Sequence, residues 1–129
     1  MNFYEKIKTL SENRIAFFLE KNHEWYNGSG TYFSELVEEV AEAAIENKEN
    51  NKVYLENELG DVFWDYICLL NSLKVEWKID SIDSVLKRSY DKFSERSWVD
   101  GRGMIPWDEI KKTQKLKLEK EHNNMYGEK

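Results

Sequence analysis

Apolar residues recur at intervals of three and four along most of the chain, which is the spacing of amphipathic α-helices. The first apolar series runs from Phe3 to Leu19 and predicts a helix over residues 3–22. A polar loop with two glycines follows at 27–30, after which Thr31 or Ser34 can cap a second helix. The further helices are expected over 32–47, 53–73 and 82–98, with a fifth that begins at Pro106. The pattern therefore predicts an all-α fold, a compact bundle of four to five helices.

The glycine and proline content supports the same fold class. One proline and six glycines in 129 residues leave few turns, which disfavours a sandwich or barrel of many strands. A chain of this length is expected to form one domain, which we place at residues 1–112. Residues 113–129 are highly charged and their leucines do not share one face, so we expect a C-terminal tail that forms a fraying helix.

The composition indicates a folded protein of a reducing compartment. Hydrophobic residues make up 40% of the chain and aromatic residues 14%, which is too much core material for a disordered chain. The single cysteine, Cys68, excludes an internal disulfide and a Cys/His zinc cluster. The longest apolar stretch, 62–70, is interrupted by Asp65, and the first residues do not resemble a signal peptide. We therefore expect a cytoplasmic protein that does not bind membranes.

The negative charge is concentrated in one segment of the chain. The net charge is −6, and residues 35–65 alone hold ten acidic residues and two lysines, a net charge of −8. The remainder has a slight positive excess. An acidic chain is a poor ligand for nucleic acid, so we expect no nucleic-acid partner. The acidic segment itself requires a cation or another form of compensation.

The acids of the second predicted helix share one face. At about 100° per residue they fall within an arc of roughly 60°, with Glu38 about 40° outside it; they are Glu35, Glu39, Glu42 and Glu46. Taken alone, this pattern is that of an ordinary amphipathic helix with an acidic face toward solvent.

The third predicted helix changes this interpretation. Glu58, Asp61 and Asp65 share an arc of roughly 60°, whereas apolar residues occupy nearly all of the remaining circumference. A helix that is apolar on most sides is expected at the centre of a fold, where an isolated carboxylate costs several kcal/mol unless it is neutralised, paired or bound to a metal. Few lysines lie nearby in the sequence to pair with these acids.

Two helices that are joined by a short connection pack antiparallel. This arrangement would place Glu39 and Glu42 opposite Glu58 and Asp61, where the carboxylates repel each other unless a divalent cation lies between them. Oxygen ligands without histidine or cysteine select Mg²⁺, with Mn²⁺ as a second possibility. The two helices together therefore favour a metal site over a solvated acidic face.

The acidic motifs resemble those of a known family. Residues 38–42 read E-E-V-A-E and residues 58–61 read E-L-G-D, similar to the E-E-x-x-E and E-L-G-D pair of the MazG-like nucleoside triphosphate pyrophosphohydrolases. This all-α superfamily includes dimeric dUTPases and phosphoribosyl-ATP pyrophosphatases. Residues 92–96 are similar to the family's K-x-x-x-R segment, and residues 107–111 look like a segment found after it in some members. The resemblance covers residues 32–112.

The resemblance implies a metal site and a reaction. It implies that Glu39, Glu42, Glu58 and Asp61 bind Mg²⁺, and that the enzyme cleaves a nucleoside triphosphate between its α and β phosphates to give a monophosphate and pyrophosphate. Glu38 or Glu42 is the candidate for activating the attacking water. This reaction suits a role in clearing the nucleotide pool. The nucleobase, the sugar, diphosphate substrates and phosphoribosyl-ATP stay open.

Further site residues are expected outside the acidic motifs. Lys92 and Arg96 are four residues apart and are candidates for binding the pyrophosphate end of the substrate, with Lys87 or Arg88 assisting; the alternative is that they form surface ion pairs. The candidates for the base or sugar pocket are Trp25, Tyr32 and Asp65, although aromatic residues are more often core, and Asp65 could instead bind a second metal.

A small bundle with this many aromatic side chains leaves apolar area exposed, and relatives assemble as dimers or tetramers. We expect at least a homodimer, or a homotetramer, with the site near the subunit interface.

Parts of the sequence are also compatible with two other classes of protein. The first is a non-catalytic helical interaction module with an acidic face. The second is a di-iron carboxylate bundle, because Glu20-x-x-His23 and Glu119-x-x-His122 have the required E-x-x-H spacing. The second is disfavoured, because His23 lies at a predicted helix end and His122 lies in the charged tail.

Overall fold

The computed structural model describes residues 1–98, 100–103 and 107–127, and within them it contains five α-helices and no strand. The all-α prediction is therefore confirmed. Pro106, the predicted start of the last helix, lies outside the described residues. The helices are α1 (Phe3–Lys21), α2 (Ser29–Ile45), α3 (Lys52–Val75), α4 (Ile82–Ser97) and α5 (Trp107–Tyr126).

The structure divides into two compact units, Met1–Ser84 and Val85–Lys129. In the first unit α1 and α2 both pack against α3. Its core is a cluster of side chains from these three helices: Ile15, Phe18, Tyr32, Cys68 and Leu69. The expectation of a single domain over 1–112 with a tail over 113–129 stays a prediction.

The start of α2 differs from the sequence-based expectation. Thr31 and Ser34 do not cap it, because the helix begins earlier, at Ser29. The carboxylate of Glu76, directly after α3, accepts hydrogen bonds from the backbone N–H of Ser29 and from its hydroxyl, both at 2.7 Å. Thr31 instead accepts a hydrogen bond from the backbone N–H of Asn27. The cap therefore comes from a residue 47 positions away.

This cap requires a glycine at position 28. Gly28 has φ +71°, a conformation that residues with a Cβ rarely adopt. A Cβ atom there would lie 2.5 Å from Oε2 of Glu76, well inside van der Waals contact. The glycine thus allows the loop to pass directly over the capping carboxylate.

The two halves of α3 have different environments. Its second half contributes most of the buried residues of the helix, among them Ile67, Cys68 and Leu70. Its first half exposes Val53, Leu59 and Phe63 by 78%, 50% and 42%. The predicted central position of the helix therefore holds for its second half.

Across the described residues, every helix is too short or too polar to span a lipid bilayer.

The second unit contains most of α4 and the whole of α5, which side-chain hydrogen bonds join. Both guanidinium nitrogens of Arg88 donate to the carboxylate of Glu121, at 2.9 and 2.8 Å. Gln114 on α5 accepts from Nε of Arg96 at 2.9 Å and donates to the backbone carbonyl of Lys92 at 3.0 Å. The helix expected in the charged C-terminal segment is present and continues to Tyr126.

Candidate metal centre

Helix geometry brings two rows of carboxylates face to face. On α2, Glu35, Glu39 and Glu42 are spaced by four and three residues, so they lie on one face of the helix. On α3, Asp61 and Asp65 repeat the spacing of four. Because α2 and α3 pack directly against each other, the two acidic rows meet within the first unit.

Three of the four predicted metal ligands converge. Glu39, Glu58 and Asp61 each offer one carboxylate oxygen, and these oxygens all lie within 4.8 Å of one another. We call this group the first cluster. Glu39 and Glu58 are partly buried in it, while Asp61 is exposed. The fourth predicted ligand, Glu42, lies beside the cluster and makes a side-chain hydrogen bond with Glu39.

A further group of acids shares Glu39 with the first cluster. Glu35, Glu39 and Asp65 also offer oxygens within 4.8 Å of one another, and we call this group the second cluster. The sequence placed Glu35 on the acidic arc of α2 but gave no reason to select it as a ligand. The missing information was tertiary: helix packing places partly buried Glu35 close to Asp65, which is 8% exposed, and the spacing along the sequence does not show this.

Several of these oxygens have no hydrogen-bond donor. Oε2 of Glu39, Oε2 of Glu58 and Oδ2 of Asp65 are buried without a partner among the described residues. The ion pairs recorded in the same part of the chain include none of these acids. A buried oxygen without a donor is costly, so each of these atoms calls for a proton or a cation.

The surroundings raise the pKa values of these acids. Burial, followed by the charge and hydrogen bond of Glu42, raises the pKa of Glu39 to about 7. Burial, followed by the charge of Glu35, raises the pKa of Asp65 to about 6. Burial and the charge of Glu42 also raise the pKa of Glu58. The metal-free site should therefore be partly protonated near neutral pH, and a bound cation would displace these protons.

The donor set fits a hard divalent cation. Both clusters consist of carboxylate oxygens alone, the ligand type of Mg²⁺ and Mn²⁺, and histidine and cysteine take no part in either. An ion there would also compensate the burial of carboxylates that have an oxygen without a hydrogen-bond donor. The described residues do not place His23 or His122 in any group of potential metal ligands, so nothing in them supports a di-iron site.

The residues expected in a base pocket lie on the aromatic part of the first unit. Trp25 is 43% exposed and its ring packs edge-on against Tyr32, with ring centroids 5.6 Å apart. Tyr32 is only 2% exposed and belongs to the core cluster. Burial raises the pKa of the Tyr32 hydroxyl, and the nearby charge of Asp65 adds to this shift. Of the two aromatic residues, Trp25 has the ring surface that a ligand could reach.

The basic residues expected to bind phosphate belong to the second unit. Lys87 pairs with Asp91, and Arg88 pairs with Glu121. Arg96 is 7% exposed and its guanidinium lies over the rings of Phe93 and Trp107. Lys92 is exposed, with its ammonium group 5.5 Å from the centroid of the Phe93 ring. Their roles toward a substrate stay predictions.

Facing carboxylates from two packed helices are typical of metal-dependent helical proteins, and comparison with known families makes the class specific. Residues 28–98 match the family model of the MazG nucleotide pyrophosphohydrolase domain. The match covers more than half of the chain and includes both clusters, so the chain belongs to this family. The resemblance inferred from the acidic motifs is therefore confirmed, and with it a small nucleotide as the class of substrate. No curated protein and no solved structure gives a match.

Proposed function

We propose that this protein is a Mg²⁺-dependent nucleoside triphosphate pyrophosphohydrolase, with Mn²⁺ as an alternative ion. It hydrolyses a ribo- or deoxyribonucleoside triphosphate between the α and β phosphates, gives the monophosphate and pyrophosphate, and thereby clears nucleotides from the pool. The observation that supports this most directly is the first cluster. Its three carboxylates come from two helices, and two of its oxygens are buried without a partner.

In this proposal Glu39, Glu58 and Asp61 hold the ion, with Glu42 beside them as a further ligand or as the base. When bound, Mg²⁺ supplies the positive charge that offsets the charge of the phosphate oxygens during the reaction. The protein contributes a preformed set of oxygens on two packed helices. These ligands need little rearrangement to bind, because helix packing already brings their oxygens within 4.8 Å of one another.

Glu42 is the favoured acceptor for the proton of the attacking water. It is exposed, and its side chain hydrogen-bonds with Glu39, so it can receive a proton at the edge of the cluster. Glu38, which is also exposed on α2, is the second candidate. In the reaction the water oxygen bonds to the α phosphorus, the bond from that phosphorus to the bridging oxygen breaks, and pyrophosphate leaves.

The remaining predicted residues would bind the rest of the substrate. Trp25 offers an exposed ring on which a base can stack, and Tyr32 supports that ring from the core. Lys92 and Arg96, with Lys87 or Arg88 assisting, remain the candidates for the phosphates, although Lys87 also pairs with Asp91 and Arg88 with Glu121. The expected effect of Trp25→Ala is a raised KM with a smaller change in kcat, since stacking helps binding more than it helps bond cleavage.

We also propose that the chain forms a homodimer or a homotetramer. Val37 and Val40 on α2 are 72% and 51% exposed, and Leu59 and Phe63 on α3 are 50% and 42% exposed. Exposed apolar residues at helical spacing on neighbouring helices are typical of a surface that another subunit covers. Light scattering should give at least twice the mass of the chain, and a monomeric mass would contradict this proposal.

A panel of ribo- and deoxyribonucleoside triphosphates, incubated with Mg²⁺ and assayed for pyrophosphate, tests the activity. We expect release from at least one of them, and loss of that release with Glu58→Gln. Glu56→Gln is the matched control, because Glu56 is exposed on the same helix and belongs to neither cluster. If no nucleotide on the panel yields pyrophosphate, the non-catalytic interaction module becomes the better interpretation.

A further inference from the structure

Asp65 is the most deeply buried acid of the facing rows. It lies one helical turn beyond Asp61, is 8% exposed, and its Oδ2 has no hydrogen-bond partner among the described residues. The charged groups that act on it are themselves acids: Glu35, Asp61 and Glu42. Within the described part of the chain, no donor reaches Oδ2 and no basic group is among the charges that shift the pKa of Asp65, so burying its charged form destabilises the fold.

We propose that the second cluster, Glu35, Glu39 and Asp65, is a second divalent-cation site. Its three oxygens lie within 4.8 Å of one another, the same limit that the first cluster meets. Acidic residues alone would not define a site, since many are simply solvated. Here Asp65 is more than nine-tenths buried, has an unpartnered oxygen, and belongs to a group of three converging ligands.

Glu39 connects the two sites, because it belongs to both clusters. A carboxylate has two oxygens and can bridge two ions, and paired divalent ions recur in enzymes that break phosphate bonds. Glu35 and Asp65 would hold the second ion together with Glu39, and that ion would supply further positive charge to a bound phosphate chain. The second site thus deepens the proposed function and rests on it for the identity of the first ion.

The occupant is expected to be a small, hard cation such as Mg²⁺ or Mn²⁺. All three ligands are carboxylates, and each offers one oxygen. The remaining coordination positions of an octahedral ion would then be filled by water or by substrate phosphate. A nucleobase amino group hydrogen-bonded to Asp65 is the competing role. The two roles differ in a simple way, since only the first requires an ion when no nucleotide is present.

The test is a titration of the full-length, metal-free protein with Mn²⁺, in which free Mn²⁺ is followed by its electron paramagnetic resonance signal. We expect two ions per chain for the wild-type protein and one for Asp65→Asn. Glu35→Gln, at a partly buried position, gives a second variant in case Asp65→Asn does not fold, and should also bind one ion. Glu56→Gln is the matched control and should bind two, because Glu56 is exposed on α3, belongs to neither cluster and has no assigned role.

A double variant, Glu58→Gln with Asp61→Asn, should retain one ion, since it removes two ligands of the first cluster only. A wild-type stoichiometry of one overturns the proposal, as does a stoichiometry of two in both Asp65→Asn and Glu35→Gln. The titration uses no nucleotide, so its result is separate from the activity. Two ions without pyrophosphate release would retain the second site and reject the function, whereas release with one ion would do the reverse.

Discussion

Two kinds of carboxylate lie along α3, and their surroundings are opposite. Glu76, just after the helix, accepts two hydrogen bonds from Ser29 and pairs with Lys78 at 3.2 Å. Although burial alone would raise its pKa, these bonds from Ser29 and Lys78 lower it below the ordinary value. Glu58 and Asp65 have buried oxygens without a partner, and burial raises their pKa values.

This difference separates structural acids from ligand acids. The Glu76 carboxylate is fully used by the fold, because it satisfies the first N–H of α2 and holds the preceding loop. The fold places the acids of the two clusters close together, but several of their buried oxygens have no hydrogen-bond donor among the described residues. Helix packing holds them close together at a cost in stability that only a proton or a cation removes.

The largest expected effect comes from Asp61→Asn. Removing one ligand of the first cluster should lower kcat/KM for the preferred nucleotide by at least about 100-fold, since a catalytic metal contributes several kcal/mol to the transition state. The corresponding change from acid to amide at the capping residue, Glu76→Gln, should change kcat/KM by less than about threefold, because that carboxylate is not a cluster ligand. Steady-state kinetics measures both. Equal losses in the two variants would remove the distinction between the two kinds of acid.

Binding of Mg²⁺ should stabilise the wild-type protein. At a concentration 100 times the Kd, an ion that binds only the folded state contributes about 2.7 kcal/mol, which is several degrees in melting temperature for a domain of this size. Asp61→Asn should lose the part of this shift that an ion at the first cluster contributes, whereas Glu76→Gln should retain the whole shift. Thermal unfolding with and without Mg²⁺ checks the prediction, and an unchanged wild-type melting curve would contradict the metal assignment.

Loss of the cap should destabilise the protein without Mg²⁺ and with it. Glu76→Ala leaves the backbone N–H of Ser29 without its acceptor and should cost about 1–3 kcal/mol in the free energy of unfolding. Gly28→Ala should also destabilise, because of the positive φ and the contact with Glu76. Urea unfolding measures both changes. A stability equal to that of the wild type in both variants would show that the cap contributes nothing.

The smallest expected effect is a pH dependence of the metal-free protein. Burial and neighbouring acids raise the pKa of Glu39 from 4.5 to about 7 and that of Asp65 from 3.8 to about 6. A carboxyl group whose pKa is higher in the folded state than in the unfolded state contributes stability at a pH below its unfolded-state pKa. That stability is lost as the pH rises through its folded-state pKa. The melting temperature should therefore fall by a few degrees between about pH 5 and pH 8, the range that contains the raised pKa values of Glu39 and Asp65. Solvent screening limits the effect at the exposed acids.

Asp65→Asn and Mg²⁺ should each reduce this fall. The lowered pKa of Glu76 works in the opposite sense, because its stabilisation is present above the ordinary pKa and is lost only as the pH falls through the lower folded value. Its contribution is thus constant across the window. A wild-type melting temperature that rises from pH 5 to pH 8 in the absence of metal would contradict the assigned shifts.

The five helices and the acidic face of α2 follow from the sequence, because both depend on local periodicity. The apolar intervals predicted the first four helices to within a few residues at each end, and the acidic motifs included Glu39, Glu58 and Asp61, whose oxygens converge. The start of α2 was the main error in the fold. No local pattern could reveal it, since the capping acceptor lies 47 residues further along the chain.

The sequence by itself determined that α2 and α3 each present a row of acids, because helical geometry converts a spacing of three or four residues into a shared face. Only the tertiary structure decided which acids meet, how deeply each lies and which oxygens lack a donor. In the structure Glu35 lies beside Asp65, and Glu76 caps α2 and belongs to neither cluster. The reason is that burial and hydrogen-bond satisfaction depend on what packs around a side chain, and those neighbours are distant in the sequence.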